Sequence, residues 1–324
     1  MRAIVQDTYG SAEVLELDEV SRPQVGDDDV LIRVQAAGVH IGDWHLMTGQ
    51  PYLMRIVGFG LRAPKARIPG MDLAGTVDAV GKNVTKFALG DQVFGTGNGA
   101  FAEFATARAT TLAHKPANLT FEQAAAVPTS ACTALQALRD VGGVQSGQQV
   151  LIIGASGGVG LYAVQLAKSL GAEVTGVCST SKLDLVRSIG ADHVIDYNQG
   201  DFTRTGQRYD LILDLGGNRS LSQLRRALSP RGSLVLVGGE GGGRWIGGVM
   251  GRSLGAVVLS PFLSQRLRMV LGVTRSEDLK VLSGLVESAG VTPVIDQTLP
   301  LGKVPEALRL LSEGRTRGKI VITV

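Results

Sequence analysis

The chain has 324 residues, 44% of them hydrophobic, a formal net charge of +3 and two cysteines. That length and apolar content suit about two globular domains. Two cysteines, Cys132 and Cys178, argue for a reducing compartment rather than a disulfide framework, and so small a charge gives no ground to expect nucleic acid as a partner.

The start, MRAIVQDTYG, lacks the long apolar stretch of a secretory signal and reads as a first strand, which predicts a cytoplasmic protein. Up to about residue 118 short strands alternate with turn residues: AIVQDT, EVLELDEV, DVLIRVQAAGV, DLAGTVDAVG and GAFAEFATA. From Trp44 to Met71 there is no Asp or Glu, while Arg55, Arg62, Lys65 and Arg67 are present; a second acid-free run, Gly241 to Ser276, carries five arginines. These runs are read as solvated surface or as attraction for an anionic ligand or peripheral lipid contact. Arg252, Arg266 and Arg268 interrupt the most apolar late region, so no transmembrane helix of roughly 20 residues is expected.

From about residue 120 the rhythm changes to apolar strands alternating with helices: QQVLII, EVTGVC, DHVIDY, YDLILDL, SLVLVGG and GAVVLS as strands. Such alternation predicts an α/β, doubly wound parallel sheet with helices on both faces. After residue 263 a helix from SEDLKVLSGLVESAG, an extended PVIDQTL, a helix from VPEALRLLSEG and a last strand KIVITV are expected to rejoin the first domain. The expected divisions are 1–118, 119–262 and 263–324.

The stretch GASGGVG, Gly154 to Gly160, follows QQVLII and opens a helix whose Val159, Tyr162, Ala163, Leu166, Ala167 and Leu170 share one face. It contains both a glycine-rich phosphate cradle and the pattern G-x-S-x-G of a serine nucleophile elbow. The elbow makes Ser156 a nucleophile and requires a later acid and then a histidine. Only His193 follows, at the start of a strand, so the role geometry is missing. The cradle needs only what is present. Ala155, Gly157 and Gly160 match the dinucleotide fingerprint with alanine first, at a helix N-terminus whose amides and dipole favour a pyrophosphate. Gly154, Ser156, Gly158 and Val159 complete the contact set.

At the end of the next strand an NAD site offers Asp or Glu about 20 residues past the glycines. Here GVCSTSKLD offers Ser179, Thr180 and Lys182, with no carboxylate before Asp184, which predicts NADPH. Ser181 with Asp184 forms S-x-x-D and is expected to cap the following helix.

The β-rich start, AAGVHIGDWHLMTG, IPGMDLAGTVDAVGKNVTKFALGDQVFG and GASGGVGLYAVQLAKSLGAEV together resemble the medium-chain dehydrogenase/reductase superfamily, in its zinc-independent, ζ-crystallin-like quinone oxidoreductase branch, over essentially the whole length. The resemblance implies a GroES-like N-terminal domain, a Rossmann domain and a cleft between them lined by the first run. Relatives that bind zinc place Cys, His-Glu and Cys where this chain has His40, Met71 before Asp72, and Thr129, so no metal is expected. The implied reaction is hydride transfer from NADPH to a quinone or α,β-unsaturated carbonyl, a small electrophilic partner. Other readings are an alcohol or aldehyde dehydrogenase-like enzyme and a low-turnover NADPH-binding scaffold at a membrane surface or on RNA. His40, Asp43 and Tyr52 are the catalytic candidates, with bracing of the segment from Trp44 as the other reading of Asp43. Thr133, Tyr197, Asn218, Val237, Gly238, Gly239, Leu259, Ser260 and Pro261 fall where relatives contact the cofactor, on the expectation that these positions are carboxyl ends of parallel strands. Lys319 is a further candidate for the cofactor or else a surface charge. A homodimer is expected, paired through GAVVLS.

Overall fold

The computed structural model describes residues 1–238, 245, 247–260, 263–288 and 290–324, and they divide into two units, Met1–Cys132 with Val273–Val324, and Thr133–Gly272. The expected divisions at 118 and 262 thus stand beside observed ones at 132 and 272. The helix that follows residue 120 packs on strands of the first unit, and this carries the chain segment 119–132 with that unit.

The first unit contains β1 (Arg2–Val5), β2 (Glu16–Glu19), β3 (Asp29–Val39), α1 (Ile41–Thr48), β4 (Asp72–Val80), β5 (Gln92–Thr96), β6 (Phe104–Arg108), β7 (Leu112–His114) and α2 (Phe121–Ala125). α3 (Pro128–Leu135) crosses into the second unit. There follow β8 (Gln149–Ile153), α4 (Gly158–Ser169), β9 (Glu173–Cys178), α5 (Leu183–Ser188), β10 (His193–Asp196), β11 (Tyr209–Asp214), α6 (Leu221–Ala227), β12 (Leu228–Leu236), α7 (Gly247–Leu259) and β13 (Arg266–Met269). The chain returns to the first unit with α8 (Ser276–Glu287), β14 (Ile295–Pro300), α9 (Val304–Ser312) and β15 (Lys319–Thr323).

In the first unit a sheet runs β14-β15-β3-β4-β5-β7, with β6 also pairing β3, and β1 and β2 form a separate antiparallel pair. Val30, Ile32 and Val34 of β3 alternate into a core that Leu73, Val93, Phe101, Leu112, Ile320 and Ile322 complete. β15 is antiparallel to β3, Ile320 opposite Val39, and β4 is antiparallel to β3 on the other side, Asp72 opposite Gly38. The carboxyl end of β3 therefore lies beside the first residues of both neighbours.

The second unit holds a six-stranded, all-parallel sheet in the order β10-β9-β8-β11-β12-β13. Its central strands are apolar on both faces, as a sheet covered on both sides requires, with Leu151, Ile153, Ile212, Leu234 and Leu236 in one buried cluster. β8 has β9 on one side and β11 on the other, so the order reverses at its carboxyl end. Open sheets bind ligands at such a reversal.

One expected strand is a helix. GAVVLS continues α7, begun at Gly247, and only its last residue lies beyond the helix end at Leu259. Six small and apolar residues carry no period that separates a buried strand from a buried helix. The sheet ends instead on β13, so the pairing expected of GAVVLS as an edge strand has no strand there. No helix among the described residues is long and apolar enough to cross a membrane.

Candidate functional site

The glycine turn sits at the reversal point. β8 ends at Ile153, Gly154 takes φ of 84°, and Gly157 is the N-cap of α4 with φ −80° and ψ 168° and no side-chain cap. The first amides of α4 are therefore left to a ligand or to water. A Cβ on Gly160 would stand 2.2 Å from the Gly154 carbonyl oxygen, so this glycine lets the helix start close to the strand end. A Cβ on Gly157 would meet only that oxygen, at 3.3 Å. The loop after β11 lies alongside: Leu215 N–H donates to Ile153 O at 3.1 Å, and a Cβ on Gly154 would be 3.3 Å from that of Leu215. Gly154 to Gly160, Asn218, Val237 and Gly238 are thus brought to one end of the sheet. Ser156 has no histidine there, because His193 begins β10 and its Nε2 pairs with Glu173 Oε1 at 2.9 Å.

The expected 2′-phosphate residues divide. Thr180 donates its hydroxyl to Asp196 Oδ2 at 2.6 Å, and the other oxygen of Asp196 accepts from Asn198 N–H at 2.9 Å. The Thr180 hydrogen is thus given to Asp196 rather than left for a phosphate. Asp196 was not foreseen; it ends β10 directly beside Cys178. The Thr180 bond holds its carboxyl below the usual carboxylate range. Tyr197, next along, is half exposed. Ser181 does not cap α5: Lys182 is the N-cap, without a side-chain capping hydrogen bond to the helix amides, because a short 3₁₀ turn over Thr180–Lys182 occupies the place of the capping residue.

A second unforeseen pair braces the ends of β11 and β12. Asp214, fully buried, is ion-paired through Oδ2 with Arg252 Nη1 and accepts from Gly217 N–H at 3.0 Å, while Arg252 Nη2 donates to Gly238 O at 3.1 Å. Thr133 is buried against Gly272. Leu259 and Ser260 lie at the end of α7, not at a strand end, so the reason for expecting them at the cofactor is removed. Gly239 and Pro261 lie outside the described residues.

The first unit carries a buried charge cluster where β3, β4 and β15 meet. His40 is the N-cap of α1; its Nδ1 accepts from Gly42 N–H at 3.0 Å, which assigns the ring proton of the neutral imidazole to Nε2. That Nε2 is buried and has no hydrogen-bond partner. Asp43, fully buried, accepts from His40 N–H at 2.9 Å, which is the expected bracing of α1. Asp72 Oδ1 accepts from both the amide and the hydroxyl of Thr129. Lys319, only 2% exposed, donates through Nζ to Val39 O at 2.9 Å and Ser130 Oγ at 3.1 Å and faces Asp72 Oδ2 at 3.8 Å. The surface reading of Lys319 is therefore corrected: the register of β15 on β3 draws it into the interior. Burial pushes the Asp43 carboxyl up, against the pull of His40 and Lys319. Burial likewise pulls the Lys319 ammonium down, opposed by Asp72 and Asp43.

Tyr52 belongs to another group. It lines a depression of about 540 Å³ with Tyr9, Trp44, Arg55, Leu308 and Arg309. The Arg55 guanidinium lies 4.2 Å from the Tyr9 ring centroid and 4.7 Å from that of Tyr52, and donates to Gly49 O and Thr48 O. Of the basic run, Arg55 donates to backbone carbonyls and Arg67 forms an exposed ion pair with Asp7.

The side chains at the relatives' zinc positions are poorly matched to zinc. Thr129 gives its hydrogen to Asp72, Met71 offers a thioether, and the cluster already contains an ammonium. Zinc favours thiolate, imidazole and carboxylate converging as a tetrahedron. Among the described residues no group of three or more His, Cys, Asp or Glu could hold a metal ion.

Two family descriptions match the chain: the alcohol dehydrogenase GroES-like domain over residues 26–117 and the zinc-binding dehydrogenase over residues 189–322. A mitochondrial NAD(P)H oxidoreductase of Bos taurus is 34% identical over 362 residues, covering 100% of this chain and 89% of the relative. A chloroplast envelope quinone oxidoreductase homolog of Arabidopsis thaliana is 31% identical, covering 99% of this chain and 98% of the relative. The solved quinone oxidoreductase from Coxiella burnetii superposes with a TM-score of 0.88 at 29% identity, covering 100% and 99% of the two chains. The Escherichia coli quinone oxidoreductase complexed with NADPH gives 0.85 at 26% identity, covering 100% of both. With a GroES-like unit, a parallel-sheet unit turning on a glycine cradle, and relatives of this kind across its whole length, the chain belongs to the medium-chain dehydrogenase/reductase superfamily, in its quinone oxidoreductase-like branch.

Proposed function

We propose that the protein is an NADPH-dependent, zinc-independent reductase of a quinone or α,β-unsaturated carbonyl. The observation that carries the cofactor reading is the uncapped N-terminus of α4, set by Gly157 at the point where the sheet order reverses. There the amides from Gly157 to Gly160 would hold the pyrophosphate. Lys182 and Ser179 would hold the 2′-phosphate, each bond to the charged group contributing about 1.5–3 kcal/mol. NADPH, when bound, supplies the hydride.

His40 supports the acceptor side of the reading. Its Nε2 makes no hydrogen bond within the protein and lies 3.8 Å from Asp43 Oδ2, and such a donor suits an oxygen on which negative charge grows. The ring steadies the negative charge that arrives with the hydride, and a proton taken up from solvent or a side chain completes the product. A quinone or enone needs no more than such a donor, whereas oxidation of an alcohol requires a strong stabiliser of alkoxide. The donors at His40, Met71 and Thr129 do not suit zinc. The name of a further relative, a 2-methylene-furan-3-one reductase of Solanum lycopersicum, 33% identical over 337 residues, supports an enone as acceptor.

Fluorescence titration of chelator-treated protein with NADPH and NADH in parallel tests the cofactor half, and a quinone and enone panel tests the other. Tight NADPH and weak NADH binding, with turnover on the panel, is the expected result. Failure of both nucleotides to bind overturns the reading.

A further inference from the structure

One peptide group in the first unit is held from both ends by buried charges. The carbonyl of Val39 accepts from the Lys319 ammonium at 2.9 Å, and the N–H of the same peptide, that of His40, donates to the Asp43 carboxylate at 2.9 Å. Lys319 is 2% exposed and Asp43 0%. The ammonium donates to Val39 O and Ser130 Oγ and faces the Asp72 carboxylate at 3.8 Å, whose Oδ2 has no hydrogen-bond partner. So large an outlay of buried charge on one peptide is out of proportion to capping an eight-residue helix, α1, which a serine or aspartate does at the surface. What the peptide orients is His40, whose Nδ1 is turned to Gly42 N–H and whose Nε2 is buried, makes no hydrogen bond and lies 3.8 Å from Asp43 Oδ2.

We propose that Lys319 is the positioning residue of this site: its ammonium, acting with Asp43, fixes the 39–40 peptide and thereby the direction in which His40 presents Nε2–H to the acceptor oxygen. Lys319 touches no acceptor itself. Asp72 is its counter-charge, held in place by Thr129. The inference rests on the reductase reading for its consequence in turnover, but its structural content, that Lys319 sets the His40 ring, stands apart from that reading.

The test compares wild type with Lys319→Met and with Asp72→Asn/Lys319→Met, the second removing both charges so that neither is left alone in the interior. Three quantities are read: thermal midpoint, kcat and KM for NADPH with 1,4-benzoquinone, and the ¹⁵N and ¹H resonances of the His40 ring, assigned among four histidines with His40→Gln. Lys319→Met is expected to lose stability, to lower kcat at least tenfold without changing KM for NADPH, and to shift the His40 ring resonances. The neutral pair is expected to recover the midpoint while kcat stays low and the ring resonances stay displaced. Recovery of both kcat and wild-type resonances in the neutral pair overturns the proposal, since the charges would then be scaffolding. If Lys319→Met does not fold, the neutral pair alone decides in the same way. A wild type that turns over no quinone or enone sinks the reductase reading, and the His40 resonances still decide the role of Lys319.

Discussion

Gly157→Ala separates a phosphate cradle from a packing turn. The backbone there, φ −80° and ψ 168°, is open to any residue, and an added Cβ meets one atom, the Gly154 carbonyl oxygen, at 3.3 Å. Two modest effects oppose each other in the folded protein. Alanine at a compatible backbone restricts the unfolded chain and stabilises by about 0.4–1 kcal/mol, whereas alanine is a poorer N-cap than glycine by a similar amount. The net change lies within about 1 kcal/mol, or about 2–4 °C in thermal midpoint for a protein of this class. The methyl would, however, occupy the space in which a pyrophosphate approaches the main chain. Loss of one bond to the charged group, about 1.5–3 kcal/mol, corresponds to roughly tenfold to 150-fold in affinity. Calorimetric titration with NADPH beside a thermal melt reads both. A variant that melts near wild type and binds NADPH within twofold of it refutes the cradle. Gly160→Ala is the control: its Cβ would fall 2.2 Å from a backbone oxygen, so stability and binding should fall together.

Lys182→Glu should lose tenfold or more of NADPH affinity while NADH affinity holds, in the same titration; an unchanged preference counts against Lys182 as a phosphate ligand. Arg252→Met leaves the fully buried Asp214 carboxylate without its cation, which should cost about 3–5 kcal/mol by urea unfolding. Asp214→Asn/Arg252→Met should regain most of that, and a single variant within 0.5 kcal/mol of wild type would show the pair to be idle, about the size of a surface change. Burial, with the Asp196 carboxylate nearby, pushes the Cys178 thiol up to about 11 from 9.0. Its folded pKa is raised, so the stability it contributes is fully present below the unfolded value and is lost as pH rises through the folded one. Wild type should therefore lose more of its urea midpoint between pH 8 and pH 11 than Cys178→Ala does, and equal losses would contradict the shift.

What could be read from the residues was local. The alternation of Val30, Ile32 and Val34, the doubly apolar QVLII and the glycine turn before a helix face each follow from a period or a backbone demand within a dozen residues. What could not be read was set by register between distant segments. Lys319 opens a strand, KIVITV, that looks like any lysine at a solvent boundary; only β15 lying on β3 with Ile320 opposite Val39 buries it. Arg252 became the partner of Asp214 only because GAVVLS belongs to a helix, and six apolar residues conceal that. Thr180 was read from its strand end alone, and the neighbouring strand supplied Asp196. Tyr52 and His40 are close in sequence yet join different groups, the Arg55 guanidinium lying between the rings of Tyr52 and Tyr9 at contact distance from each.

The position of β15 also bears on how the molecule is made. The bond from Lys319 to Val39 spans 280 positions, and at about 5–20 residues per second a ribosome takes roughly 15 to 55 seconds to cross that distance. For all of that time β3 lacks one of its strand neighbours, and Asp72 and Asp43 wait without the ammonium that faces them. The second unit, made of consecutive segments, can close while the first is still open. A nascent chain can thus complete its parallel-sheet unit before the charge cluster of the other unit exists, and a stop at codon 319 removes an interior strand together with the cation.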